Sequence, residues 1–480
     1  MHHPKSIHQT NAALLAAAAG LALAAPASSA QPFPVSPDGD VFVIAMENHN
    51  FTQPTNMASP QQILGNPGAP YLNSLVTPGN PNAAQVSYAA AYFNAAHHDH
   101  PSEPNYVWAE AGTDFGVHTD ADPRSTNGNT FYAGSIHLTT LLNAAGISWK
   151  NYQEDLDLTS SPTNSAYGTN GPVNPYNGTT QFNYAVKHNP MAFFADTSVQ
   201  NVYPLAQFFT DLANGTVGRY NWITPDQYND AHSSLNNGFT YNGVHYTGDQ
   251  SSIAAGDSFL SQVIPQIMAT PEYQNNGVII IWWDESEGGD DTAHTVPEIV
   301  ISPLAKGNAY ASSVPMSHSS DIKTMEELFG LPFLNNPIPA YETNNFGGYD
   351  NVATVNDLGD LFVPGAIPSF NVTAMPGNLV YNPRTGTYSQ VVRITNTGTA
   401  PAEEPLYLVL DNLSTNATLL NAAGVTSILM PLGSPYVQIP ACGNSVLGPN
   451  ESRTVKLEFS DPTTTGISYS TRVLSVVPTP

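Results

Sequence analysis

Positive charge is what this sequence has least of. Over 480 residues, 12 Lys and Arg stand against 38 Asp and Glu, a formal net charge of -26, and charged residues of either sign make up 10% of the chain. Nucleic acids and anionic membrane surfaces are recognised through a cationic footprint that releases counterions, so this balance argues against both as partners. It also removes a guanidinium clamp as the default way to hold a phosphate, leaving that work to metal ions and neutral donors. Cysteine is nearly missing: the single Cys442 cannot form an internal disulfide. Beyond the N-terminus no apolar run approaches the ~20 residues of a membrane-spanning helix, so no stable membrane anchor is expected. The N-terminal apolar stretch, Ala12 to Ala25, is too short for one. With Lys5 before it and small residues up to Gln31, it has the layout of a cleavable secretory signal. A mature chain, secreted or periplasmic, is therefore expected after cleavage near Ala30.

The length suffices for two domains, since single cores stop growing near ~250–300 residues. From Asp38 to about Phe362, short apolar strands alternate with helical stretches, as in an α/β domain. The runs "DVFVIAMEN" (40–48), "RYNWITPD" (219–226), "GVIIIWWDE" (277–285) and "PEIVISP" (297–303) read as strands buried on both faces. "SSDIKTMEELFGLP" (319–332) carries Ile322, Met325, Leu328 and Phe329 at a helical period, closed by Gly330 and Pro332. After 363–370 the pattern changes to alternating segments, "YSQVVRITNTG", "PLYLVLDNL", "RTVKLEFSD" and "STRVLSVVP", which predict an antiparallel β-sandwich of about 110 residues. The expected organisation is a signal over 1–30, a catalytic domain over 31–362, a linker over 363–370 and an accessory sandwich over 371–480. No titratable cluster marks the last of these, which reads as a spacer or as a module that binds a surface or polysaccharide.

Two acidic pairs fall at strand ends. "MEN" puts Glu47 and Asn48 at the carboxyl end of the first strand, and "WWDE" puts Asp284 and Glu285 at that of a later one, the edge where open α/β sheets bind ligands. Carboxylates side by side against apolar strands repel unless a cation lies between them. Oxygen-rich ligation suits Ca²⁺, Mg²⁺ or Mn²⁺ better than Zn²⁺. Between the pairs, "HHDHPSEPNYVWAEAGT" (97–113) gathers histidines ahead of Ser102, which stands just before a helix. Free backbone N–H groups and the positive helix end favour an anion there. An ordinary N-cap serine accounts equally well for that stretch alone. Loop histidines His100, His232, His294 and His318 lie near strand ends or helix starts, each ordinary in isolation.

The motifs "AMENHNF", "HPSEPNY" followed by "AGT", "WITPDQYNDAH", "IIIWWDESEGG", "PEIVISPLAKG" and "SHSSDIKTMEELFGLP" come in the order expected of a bacterial phosphoesterase family. That family contains secreted acid phosphatases and non-haemolytic phospholipases C. The chain resembles it over roughly residues 38–335. The resemblance implies an alkaline-phosphatase-like mixed sheet with helices on both faces. It implies that Glu47, Asn48, Asp284 and Glu285 hold a metal ion, one or two in all, that also touches Ser102 as nucleophile. Asn105, Asp230 with His232, His318, and His100 or His294 would contact phosphoryl oxygens or a second cation. Phospholipase members follow the Glu-Asn pair with Arg-Ser-Phe-Asp, whereas this chain reads "ENHNF", which weakens the phospholipase reading more than the phosphatase one.

The expected chemistry is hydrolysis of a small phosphate monoester in two displacements through a phosphoserine, with His100 or His232 protonating the leaving oxygen and an acidic optimum. Thr113 is a rival nucleophile, disfavoured by its place at the negative end of the helix. Phospholipase C-type diester hydrolysis is the first alternative. A non-catalytic secreted adhesin or binding protein, supported by Asn/Thr/Tyr-rich loops and the extra domain, is the second.

Overall fold

The computed structural model describes residues 39–474, apart from 95–98, 124–134, 160, 332, 335–354, 364–371, 398–401, 404, 427–432, 442–445 and 464–465. The signal segment, most of the expected linker and Cys442 lie outside the described residues.

The central sheet has eight strands: β1 (Val41–Met46), β2 (Val86–Ala89), β3 (Trp149–Gln153), β4 (Val202–Pro204), β5 (Tyr220–Thr224), β6 (Val278–Trp283), β7 (Glu298–Ile301) and β8 (Tyr310–Ser312). Their order is β8-β2-β7-β6-β1-β5-β3-β4. β1 runs parallel to both β5 and β6, β3 is parallel to β4 and β5, and β7 is antiparallel to β6 and β2. The four apolar runs expected as strands are β1, β5, β6 and β7. Every residue of β1 and β6 is buried, as their uninterrupted apolar sequences require of strands covered on both faces.

Seven helices accompany the sheet among the described residues: α1 (Pro70–Leu75), α2 (Ser102–Ala111), α3 (Leu138–Ala144), α4 (Leu205–Asn214), α5 (Asp249–Met268), α6 (Pro271–Gln274) and α7 (His318–Phe329). On one face, Tyr106 of α2 meets Trp222 and Trp282 edge-on at 6.0 and 5.1 Å, and the His318 ring of α7 lies 4.6 Å from Trp282. On the other, Phe208 of α4 meets Phe42 of β1 at 6.1 Å. The helix expected over 319–332 is α7. It opens with a capping box between Ser317 and Ser320 and ends at Gly330 in the left-handed region, φ 65°.

The C-terminal segments form two antiparallel sheets, one built on Thr387–Asn396 and Ser452–Ser460, the other on Tyr407–Asp411, Pro435–Gln438 and Ser470–Leu474. Val392, Ile394, Val455, Leu457 and Phe459 of the first share a core with Leu408, Leu410 and Val437 of the second. Strand 407–411 alternates: Leu408 and Leu410 enter that core, while Tyr407 and Val409 join the core of the central sheet.

This acidic chain also buries several carboxyl groups away from the ends of β1 and β6. Burial raises Glu154 and Asp321 to about 7 and Glu327 to about 8. A folded-state value above the unfolded one gives stability that is complete below the unfolded value and is lost as pH rises through the folded one. The buried imidazoles of His232 and His318, pushed down to about 3, are neutral throughout the neutral range and do not oppose this trend. The metal-free protein is therefore expected to lose thermal stability between about pH 6.5 and 8, up to the folded values of those carboxyls, and to level off above them. A melting temperature that is flat or rises over that range would show that these carboxyls ionise without penalty in the folded protein.

Candidate active site

Parallel pairing in register sets the first feature of the site. Met46 pairs with Trp283, so the next residue of each strand, Glu47 and Asp284, emerges at the same edge. Asn48 follows in the left-handed region, φ 47°, a conformation that Asn tolerates. Its N–H donates to Asp284 Oδ1 at 3.0 Å, and its side-chain amide donates to Glu287 at 3.0 Å. His49 continues the lock: its ring lies 3.1 Å from Asp249 at the start of α5. Beyond β5, Asp230 Oδ1 accepts from the His232 N–H at 2.7 Å across Ala231, whose φ is 79°. That turn also accepts the Glu47 N–H through the Asp230 carbonyl, at 2.8 Å.

Ser102 is the first residue of α2 and is buried, but it does not cap the helix: Pro101 occupies the N-cap position. The ordinary capping role is thereby excluded. The hydroxyl instead lies 3.1 Å from Glu47 Oε2 and 3.3 Å from Glu285 Oε1. The ammonium of Lys187 reaches the same hydroxyl at 3.3 Å and Asp120 at 3.1 Å. Asp120 also accepts the Glu103 N–H in the first turn of α2, at 3.1 Å. Thr113, by contrast, is buried past the far end of α2, where its hydroxyl accepts the Phe115 N–H.

The expected histidines separate. His100 contacts Glu285 closely and Asp290 at 2.9 Å. Burial alone would lower its proton affinity, but these two carboxylates more than reverse that and raise it to about 9. Burial and Lys187 push His232 down to about 3, so it is not an acid at mildly acidic pH. His294 pairs with Asp291, and His318 lies beneath the strand end with Nε2 3.1 Å from the Trp283 carbonyl. Asn105 spends its amide on the Asp99 and Pro101 carbonyls, at 2.8 and 3.4 Å, which fixes the turn into α2. None of these contacts brings His294, His318 or the Asn105 amide to Ser102.

Two central residues escaped the sequence reading, Lys187 and His188. His188 stacks on Tyr106 at 5.0 Å and places its ring nitrogens 3.0 Å from Glu47 Oε1 and 3.2 Å from Asp230 Oδ2. Burial, then Lys187 and His232, hold this imidazole well below its usual value, so it is a neutral ring with one nitrogen lone pair to offer and one N–H to donate. The signal was available: a Lys-His dipeptide in a polar loop is conspicuous where Lys and Arg number only 12. Lys187 places beside the Ser102 hydroxyl a cation that the reading in terms of metal ions and neutral donors did not include.

The balance of charge at this edge calls for a cation. Glu47, Asp230, Asp284 and Glu285 are four buried carboxyls facing one ammonium and the His100 imidazolium. Glu47 Oε1, Asp230 Oδ2, Asp284 Oδ2 and His188 Nε2 are buried without hydrogen-bond partners, the close imidazole–carboxylate contacts being too poorly aligned to count as hydrogen bonds. Burial and then the neighbouring Asp284 raise Glu47 well above the usual carboxyl range. A divalent ion satisfies orphaned oxygens and surplus charge together, so the residues present fit one.

Residues 71–332 match the Phosphoesterase family. The chain belongs to that family. It is accordingly a hydrolase acting on phosphate esters. A phosphatidylinositol-3-phosphatase of Mycobacterium tuberculosis is 26% identical over 270 residues, 56% of this chain and 73% of its own length. A phosphate-repressible acid phosphatase of Penicillium chrysogenum is 23% identical, covering 49% of this chain and 50% of its own. An acid phosphatase of Aspergillus fumigatus is 25% identical, covering 49% and 47%. The chain thus spans about half the length of the two fungal relatives. Among solved structures, a protein in the alkaline phosphatase superfamily from Vibrio parahaemolyticus aligns with 75% of this chain and 77% of its own, at 9% identity and a TM-score of 0.39.

With the phosphoesterase identified, Lys187 becomes a test of the site. If Ser102 is the reacting group, Lys187→Met is expected to lower kcat by ~10²–10³-fold, the cost of losing one pre-positioned charge beside its hydroxyl, with Lys187→Arg recovering part of it. A kcat within a factor of ~3 of the parent, under 1 kcal/mol, would remove Lys187 from the machinery.

Proposed function

We propose that this phosphoesterase is a secreted, metal-dependent phosphomonoesterase of the acid phosphatase type, working through a phosphoserine on Ser102. One observation carries the reading. A serine at the start of a helix has its hydroxyl withheld from capping and set among Glu47, Glu285 and Lys187.

Glu47, Asn48, Asp230, Asp284 and Glu285, with His188, would hold the ion, with Ca²⁺, Mg²⁺ or Mn²⁺ the preferred class for so many oxygen donors. When bound, it supplies positive charge that lowers the serine hydroxyl's pKa and offsets phosphoryl charge. Ser102 already donates to Glu47 Oε2, which takes the proton as the oxygen attacks phosphorus. Lys187 balances the charge that develops on the hydroxyl oxygen. The bond to the leaving oxygen breaks as that oxygen takes a proton from His100, which is charged below about 9. Water then cleaves the phosphoserine and the hydroxyl is restored. The catalytic part would occupy 31–362 and the accessory sheets 371–480, where a role in binding a surface or polysaccharide belongs to the same reading.

Monoesters are favoured over diesters by the residue next to the Glu-Asn pair. Where phospholipase members carry arginine, His49 is engaged with Asp249 and provides no cation for a diester headgroup. The names of the relatives, two acid phosphatases and a phosphatidylinositol-3-phosphatase, point the same way.

The deciding experiment is to trap the enzyme with a slow monoester, digest it and locate the added phosphate by mass spectrometry. Phosphate on Ser102, absent from Ser102→Ala, is expected, and label on Thr113 would overturn the assignment. p-Nitrophenyl phosphate should be hydrolysed far faster than p-nitrophenyl phosphorylcholine, and the reverse order would favour a phospholipase C. The pH–rate profile is expected to peak below about pH 8 and to lose its alkaline limb in His100→Ala. A peak well above that value would remove His100 as the proton donor.

A further inference from the structure

The geometry points to a second cation site, separate from the strand-end carboxylates, formed by Asp99, Asp114 and His118. Among the described residues this is the group of three whose ligand atoms all lie within 4.8 Å of one another. Asp99 and Asp114 are buried, with side chains 2% and 0% exposed, whereas the His118 side chain is 45% exposed. His118 Nδ1 is 3.9 Å from Asp99 Oδ1, and Nε2 is 3.7 Å from Asp114 Oδ2. Both separations exceed hydrogen-bond length and use different ring nitrogens, of which one ion takes one, so the ligand set is one His118 nitrogen with one oxygen of each carboxylate, all within 4.8 Å of one another.

An independent observation aims a ligand atom into the cluster. Asp114 Oδ1 accepts the Gly116 N–H at 2.8 Å, while Oδ2 of this fully buried side chain has no hydrogen-bond partner. Two carboxylates and a neutral imidazole around a divalent ion give a site of zero net charge, which a mostly buried location tolerates. One nitrogen among two oxygens selects Zn²⁺ or Mn²⁺ over Ca²⁺ or Mg²⁺, and water completes the shell on the exposed His118 side.

The position gives such an ion a task. Asp99 lies three residues before Ser102, while Asp114 and His118 belong to the loop that leaves α2 and returns to its start at Asp120. A cation there ties that loop to the turn entering α2, and so steadies Asp120, which holds Lys187 beside Ser102.

The site is tested by counting bound ions rather than by activity. Chelated protein is dialysed against Zn²⁺ or Mn²⁺ and bound metal is measured by mass spectrometry, for the parent, His118→Ala and Asp114→Asn, each alone and with Asp284→Asn. His118→Ala is expected to remove one equivalent in both backgrounds while circular dichroism stays unchanged. Asp284→Asn acts on the other site, so failure of the strand-end metal reading would leave the His118 result interpretable. An unchanged ion count in His118→Ala would overturn the proposal whatever Asp114→Asn does, since the exposed histidine can be replaced without disturbing the core.

Discussion

The site depends on the register between two neighbouring parallel strands. Once β1 and β6 pair Met46 with Trp283, Glu47 and Asp284 must leave the sheet side by side. Neither can turn back, because both strands are buried along their whole length. The cost of two adjacent buried carboxyls is high, and nothing in the apolar core offsets it. Asp230 and Glu285 then deepen the deficit of positive charge, and His188, held neutral, does not relieve it. So many acceptors together with so little opposing charge is what supports the proposed cation, whose binding would add to stability.

The serine reaches this edge on a helix packed against the same face. Tyr106, one turn beyond Ser102, wedges between Trp222 and Trp282 and stacks on His188. One aromatic side chain therefore sets both the height of Ser102 above the sheet and the plane of an imidazole beside Glu47. Asp120 performs a second double task from the loop beyond, satisfying a first-turn N–H of α2 while pairing with Lys187. The helix start, the ammonium and the hydroxyl are thus linked through one carboxylate.

Much of the frame was legible because it is written in apolar residues. β1 and β6 are unbroken apolar runs and β5 and β7 nearly continuous ones, the pattern of strands buried on both faces. β3 was not legible, since Lys150, Asn151 and Gln153 carry no apolar signature. Asn151 and Gln153 are buried because they bond to Asn189, to Thr224 and to each other, a reason that exists only after folding. The carboxylates at strand ends were visible from their position in sequence. Histidine roles were not, because each depends on what faces it: two carboxylates charge His100, while burial and an adjacent ammonium keep His188 neutral. Sequence proximity favoured His232, and the lysine and histidine that reach the site came from a loop without periodicity.

The acidic composition acquires a second meaning beside this site. A net charge of -26 opposes the approach of a phosphate dianion at long range, but that field is screened beyond ~8–10 Å at ordinary ionic strength. Attraction would then come from charges close to the serine, Lys187 and His100, together with the proposed ion. Scarcity of cations elsewhere makes that attraction local. With only 12 Lys and Arg in the sequence, few basic side chains elsewhere compete for an anion.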